Sequence, residues 1–67
     1  GVYPPMPGKL QKWLVSEGDE VVKGDALAIV EAMKMETKIL AENTGRVKIL
    51  IAEGAVLRAD SKVAEIA

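Results

Sequence analysis

The sequence predicts a single all-β domain of the small sandwich or barrel class. Three observations predict it: short runs of strand-forming residues, turn signals every few residues, and an internal repeat that spans both halves of the 67-residue chain. An apolar share of 49% is high enough for a folded core. Because the chain has one Trp, one Tyr and no Phe, that core must be aliphatic.

The internal repeat is a series of matched positions. The stretch GKLQKWLVSEGDEVVKGDALAIV, which begins at Gly8, aligns with GRVKILIAEGAVLRADSKVAEIA, which begins at Gly45. The offset is 37 residues at first, and 36 residues after one residue drops out near Ser16. The matches include Leu10 with Val47, Glu17-Gly18 with Glu53-Gly54, and Leu27-Ala28 with Val63-Ala64. Such a series indicates an internal duplication that forms one closed domain.

The first elements of the chain are an extended lead and short strands. In PPMPG, residues 4–8, three prolines fix φ and remove backbone donors, so we expect this segment to run extended at a sheet edge. KWLV (12–15) and VKILIA (47–52) are β-rich runs that end at an acidic residue plus glycine, a turn signal. DEVVKGD (19–25) predicts another short strand.

Two strand residues have expected environments. Trp13 is expected in the core. Ile49 has two possible orientations, because strict alternation places it on one face with Val47 and Ile51, whereas the repeat pairs it with Lys12 and points it outward. A β-bulge could reconcile the two.

The segment from Asp25 to Asn43 is open to two assignments. DALAIVEAMKMETKILAEN is rich in the best helix formers, so propensity alone favours a helix. The repeat favours strands, because it equates Leu27–Val30 with Val63–Ile66, where a helix of this length does not fit. We therefore predict two strands that meet at a turn near Lys34. AMKME lacks the glycine, asparagine or aspartate that tight hairpins favour, so this turn is expected to be strained, as functional sites often are.

The composition excludes several kinds of site. The chain has no Cys and no His, so it has no disulfide, no tetrahedral Cys/His zinc site and no Ser-His or Cys-His nucleophile pair. Ser16 and Ser61 are expected in turns. Nine basic and ten acidic residues are spread along the chain without the basic stripe of a nucleic-acid binder, and no apolar run approaches a membrane span. We predict a domain with no catalytic residue and no metal site.

Several stretches resemble one known family, the biotinyl domains of biotin-dependent carboxylases and decarboxylases. The central stretch is EAMKM, Glu31 to Met35, which is similar to the family's attachment motif. PPMPGKL resembles its opening strand, VSEGDEVVKGDAL its glycine-punctuated middle, and ENTGRV the turn that begins the second half. The resemblance covers almost the whole chain. AENTG departs from the usual Ala-Pro and Asp-Gly at that turn, which leaves the lysine hairpin intact.

The resemblance implies a fold and a function. The fold is a flattened barrel of two four-stranded antiparallel sheets related by a pseudo-twofold axis, with Lys34 on a protruding hairpin. Biotin protein ligase would join biotin to Lys34 through an amide, with Glu31, Ala32, Met33 and Met35 as flanking motif residues. The biotin would carry carboxylate between a biotin carboxylase site and a carboxyltransferase or decarboxylase site. The resemblance also implies an intracellular location, cytoplasmic or in the mitochondrial matrix, and residues 1–67 as one domain of a larger carboxylase.

Two alternatives share the barrel architecture. A lipoyl domain usually has Asp-Lys-Ala at the turn, where this chain has Met33 and Met35 around the lysine. An unmodified structural module, as in transport adaptors, needs no lysine there. In all three cases the twofold predicts that Val2-Tyr3 and Val63–Ile66 come together, far from Lys34.

Overall fold

Seven strands and no helix form the fold in the computed structural model, which describes residues 1–67. They are β1 (Gly8–Trp13), β2 (Glu20–Val21), β3 (Ala26–Ala32), β4 (Met35–Leu40), β5 (Gly45–Ile49), β6 (Val56–Leu57) and β7 (Ala64–Ile66). The all-β prediction is confirmed. The helix alternative for residues 25–43 is wrong, because that segment forms the β3–β4 hairpin. No helix is available to cross a bilayer.

The strands form two antiparallel sheets. One has the order β4-β3-β1-β6, and the other has the order β2-β5-β7. The second sheet therefore has three strands where the resemblance implies four. Val2 occupies the fourth position as an isolated bridge to Ala64, which confirms the expected pairing of the two end segments. The expectation that residues 4–8 run extended at a sheet edge is wrong, because the chain bends at residues 5–7 before β1 begins. Pro5 and Pro7 have no N–H to donate to a ladder there.

The pseudo-twofold is visible in backbone hydrogen bonds that recur at equivalent positions. Gly18 N–H donates to Val47 O (2.8 Å) as Gly54 N–H donates to Leu10 O (2.7 Å), and Leu14 N–H donates to Leu27 O (2.8 Å) as Leu50 N–H donates to Val63 O (2.9 Å). The first pair of bonds joins one half of the repeat to the other. The two halves are therefore interlocked, and neither has a complete sheet by itself.

A β-bulge in β1 explains the change of offset within the repeat. The pairing of β1 with β3 shifts between Leu10 and Lys12, which leaves Gln11 as the extra residue. The dropped residue is thus at Gln11, and its placement near Ser16 is wrong. Beyond the bulge, the equivalent of Ile49 is Trp13, because Trp13 pairs with Ala28 as Ile49 pairs with Ala64. Ile49 packs against the core, as strict alternation predicts.

The core is aliphatic and contains no buried polar side chain. Its largest fully buried side chains come from both halves: Leu10, Leu27, Ile39, Leu57, Val30, Val47 and Val63. Trp13 is half-buried against this cluster, and its indole Nε1–H donates to Ile51 O at 2.8 Å. Trp13 therefore lies at the edge of the core, where the sequence predicted a core residue. A large part of the stability of this small domain therefore comes from apolar contact between its two halves.

Two glutamates connect the halves by equivalent hydrogen bonds. Glu53 Oε2 accepts from Trp13 N–H at 2.8 Å, and Glu17 Oε1 accepts from Ile49 N–H at 2.7 Å. Each carboxylate satisfies a strand donor in the opposite half at a point where the ladder leaves it free. Glu17 and Glu53, which match in the sequence repeat, thus make equivalent hydrogen bonds in the two halves.

Because the two hydrogen bonds are equivalent, removal of either glutamate should lower the stability by the same amount. Glu17→Ala and Glu53→Ala should each lower the free energy of unfolding by about 1 kcal/mol, the usual worth of one hydrogen bond. Urea denaturation measures this directly. Glu42→Ala is the matched control, since Glu42 is exposed and has no hydrogen bond or ion pair. Equal stability of Glu53→Ala and Glu42→Ala would refute the assignment.

Candidate functional site

The chain reverses direction through two residues, Met33 and Lys34. β3 ends at Ala32 and β4 begins at Met35, and these two residues pair with each other. Met33 and Lys34 both have positive φ, 52° and 64°. Positive φ at both central residues is the geometry of a type I′ hairpin turn, which normally selects glycine or asparagine. The predicted turn at Lys34 is confirmed, and so is its unfavourable backbone conformation.

The hairpin is supported by a well-anchored inner strand. β3 is paired on both sides, with β1 and with β4, and Val30 and Ala32 are buried beneath the turn. Gly8 allows β1 to approach this root closely, because a Cβ at Gly8 would lie 2.5 Å from Glu31 O and 3.0 Å from Ala32 Cβ. Left-handed backbone costs roughly 1–2 kcal/mol per non-glycine residue. The packed root offsets that cost and holds the turn in one place.

The tip itself is surrounded by solvent. Met33 is 92% exposed and Met35 is 72% exposed, and Lys34 is also exposed. The Lys34 amine has no hydrogen-bond or ion-pair partner in the chain. What the tip offers chemically is a primary amine on a fixed turn, open to an incoming enzyme.

The residues predicted at the site have different environments. Lys34 and Met33 form the turn, and Met35 opens β4. Ala32 is buried, so it fills the root of the hairpin and is not part of the surface. Glu31 is exposed and lies directly opposite Glu36.

Sequence reasoning missed two residues next to the tip, Glu36 and Gly8. A two-residue turn at Met33 and Lys34 places Glu31 directly opposite Glu36. The pairing of these two glutamates could therefore have been predicted from the predicted turn. Like charges directly opposite each other are destabilising, which marks the pair as unusual. The signal for Gly8 was its match with Gly45, because both glycines meet the backbone of a neighbouring strand.

The one cavity of the molecule is away from the tip. It has a volume of about 730 Å³ and is open to solvent. Tyr3 and Pro4 line it together with Leu40 and Ala41, at the end of the hairpin opposite Lys34. Six residues of β4 at roughly 3.3 Å each place this end about 20 Å from the turn. No group of acidic side chains is close enough to hold a metal ion.

The chain matches one protein family over nearly its full length. The family model described as "Biotin-requiring enzyme", of the biotin/lipoyl type, matches residues 2–66. Mitochondrial acetyl-CoA carboxylase of Saccharomyces cerevisiae is 37% identical over 65 residues, which is 97% of this chain and 3% of the relative. The mitochondrial methylcrotonoyl-CoA carboxylase subunit alpha of Rattus norvegicus is 46% identical over 56 residues, covering 82% of this chain and 8% of that protein.

Other relatives and solved structures agree. Urea amidolyase of Lachancea kluyveri is 46% identical over 66 residues, 97% of this chain and 4% of the relative. The crystal structure of Kluyveromyces lactis urea carboxylase superposes with a TM-score of 0.90 at 36% identity, over 98% of this chain and 6% of that chain. Truncated AcrA of Campylobacter jejuni has a TM-score of 0.87 at 20% identity, over 98% of this chain and 84% of that chain, which shows a shared fold alone. The chain spans only 3–8% of the curated relatives named here.

The positive φ of Met33 predicts an opposite effect for two glycine substitutions. Met33→Gly should raise the free energy of unfolding by about 1 kcal/mol, because glycine adopts positive φ without steric cost and the exposed side chain contributes little packing. Met35→Gly, in β4, should lower it by about 0.5–1 kcal/mol, the cost of glycine inside a strand. Chemical denaturation of both variants tests this. A Met33→Gly variant that is no more stable than the parent would mean that the turn is unstrained.

Proposed function

The chain belongs to the biotin/lipoyl family of biotin-requiring enzymes, and from this we propose that it is a biotin carboxyl carrier domain with biotin attached covalently to Lys34. The family match and the carboxylase relatives support the carrier role. The single observation that carries the choice of residue is the position of Lys34 at the centre of the type I′ turn.

Presentation distinguishes Lys34 from the other six lysines. Lys9, Lys12, Lys38 and Lys48 lie within strands, and Lys23 and Lys62 lie in loops. Only Lys34 stands at the end of a two-stranded ladder with no polar partner and with backbone turning away on both sides. Since all lysine amines are chemically alike, an enzyme that modifies one of them must recognise the structure around it.

The proposed modification is an acyl transfer. A lysine amine is protonated near neutral pH and is not nucleophilic in that form. Biotin protein ligase would therefore use ATP to activate the biotin carboxyl group and would accept one proton from the Lys34 ammonium, so that the neutral Nζ can attack the activated carbonyl carbon. The C–N bond of the amide forms as the activating group leaves and Nζ loses a second proton to the ligase or to water. The amide removes one positive charge, so the net charge changes from −1 to −2.

The carrier works through its tether. A flexible lysine stem on a rigid domain keeps the attached biotin at high effective concentration near each partner site. The partners would be a biotin carboxylase and a carboxyltransferase or decarboxylase, in the cytoplasm or the mitochondrial matrix. The domain would supply position and reach, and its partners would supply the catalytic groups.

Peptide mapping tests the assignment of Lys34. Incubation of the chain with biotin, ATP and biotin protein ligase should add one biotin per molecule, located on the peptide that contains Lys34. Lys34→Arg should abolish incorporation, whereas the control Lys38→Arg, in the neighbouring strand, should keep the full yield. Biotin on any other lysine would contradict the assignment. Modification by a lipoate ligase with lipoate, and none with biotin, would instead support the lipoyl alternative.

A further inference from the structure

A row of four exposed residues crosses the sheet beside the tip. Val56 lies opposite Lys9, Lys9 opposite Glu31, and Glu31 opposite Glu36. Residues directly opposite each other in antiparallel strands point to the same face of the sheet. All four are exposed, so this is the outer face. We call these four residues the tip row.

Val56 is an unusual member of this row. It is 83% exposed, and the only large apolar side chains with comparable exposure are Met33 and Met35 at the tip. A strand residue on a solvent-facing side is normally polar, because exposed apolar surface gains nothing from folding. The three most exposed apolar side chains of the molecule thus lie at or near the same end of the domain.

The pseudo-twofold provides an internal comparison for Val56. Its equivalent in the other half is Glu20, which lies opposite Arg46 as Val56 lies opposite Lys9. Glu20 and Arg46 form an exposed ion pair at 3.7 Å. The same position in the same fold therefore accepts a charged residue. Packing does not explain the valine, and the difference between the halves is that only one of them is next to Lys34.

We propose that the tip row, with Val56 as its apolar anchor, is the surface on which biotin protein ligase docks to reach Lys34. The proposal rests on the proposed function. The Lys34 amine is only a four-carbon stem away from the turn, so an enzyme that acts on it must touch the protein around the turn. A biotin already attached extends the reach, and the later partners need less contact with the domain surface.

An enzyme that docks beside the tip covers enough of the surface to contact Val56. Even a small transient interface buries roughly 600 Å² on each partner, a patch about 14 Å in radius. Val56 lies two strand spacings from Glu31, about 10 Å across the sheet, and Glu31 is three residues before Lys34. A footprint of this size that is centred on the tip row covers Val56 and reaches Lys34 at its edge. Side chains that lose their water at the centre of an interface are the ones that contribute most to binding.

The charges of the row indicate the chemistry of the partner surface. Lys9, Glu31 and Glu36 carry one positive and two negative charges, a net charge of −1, and none of the three forms an ion pair within the chain. Glu31 and Glu36 face each other on the side of the row away from Val56, where a cation between them relieves their mutual repulsion. The ligase should therefore present an apolar side chain against Val56 and basic groups against the two carboxylates.

Steady-state biotinylation kinetics of matched variants test the proposal. Val56→Glu gives the tip row the residue that the other half has at the equivalent position, Glu20. It should raise the KM for the carrier by about tenfold with little change in kcat, because Lys34 itself is unaltered. The control is Val22→Glu, which makes the same change at an exposed valine (56%) that follows β2 in the other half. Its KM should stay within twofold of the parent chain.

A second variant separates docking from folding. Val56→Thr keeps the β-branched shape and removes apolar surface, so it should raise KM by about threefold with unchanged thermal unfolding. A KM within twofold of the parent for both Val56 variants would overturn the proposal, as would equal losses for Val56→Glu and Val22→Glu. Failure of the parent chain to accept biotin at all would instead refute the proposed function, which keeps the two outcomes distinct.

Discussion

Seven almost fully buried aliphatic side chains, drawn from both halves of the repeat, form the contact on which the rest of the molecule depends. A domain of this size buries a smaller share of its surface on folding than a larger domain does, and this one has no cysteine that could reinforce it. Its core must therefore be shared, because neither half has enough apolar surface to fold alone. The hydrogen bonds that Gly18 and Gly54 donate across the halves follow from that sharing. So do the two glutamate carboxylates that bind strand donors of the opposite half.

The shared core also explains how an unfavourable turn can persist. Met33 and Lys34 occupy left-handed backbone that their side chains disfavour. Val30 and Ala32 are fixed in the core directly below, and the β3–β4 ladder sets the position of the turn. Strain at the tip and packing at the root belong to one arrangement, in which a flexible lysine is mounted on a rigid base. A looser root would leave the position of the amine undefined.

The two halves share a backbone and differ at their surfaces. Ile39 of β4 pairs with Ala28 as Val2 pairs with Ala64, so the first residues of the chain stand where the second strand of the hairpin stands in the other half. The turn itself has no counterpart within the chain. The surface residues differ in the same way. Glu20 forms an ion pair with Arg46, whereas the equivalent position in the other half is the apolar Val56. The two halves thus share one backbone arrangement, and one half presents Lys34.

Much of this protein could be predicted from its sequence. The repeat predicted the all-β fold against the helix propensity of residues 25–43, and with it the two strands that meet at a turn near Lys34. It succeeds because a pattern of matched residues records which contacts recur. The position of the bulge at Gln11 and the burial of Ala32 were decided by the tertiary structure. So was the alignment of Val56 with Lys9 and Glu31, because pairing between strands distant in sequence depends on the three-dimensional register, which a linear pattern does not contain.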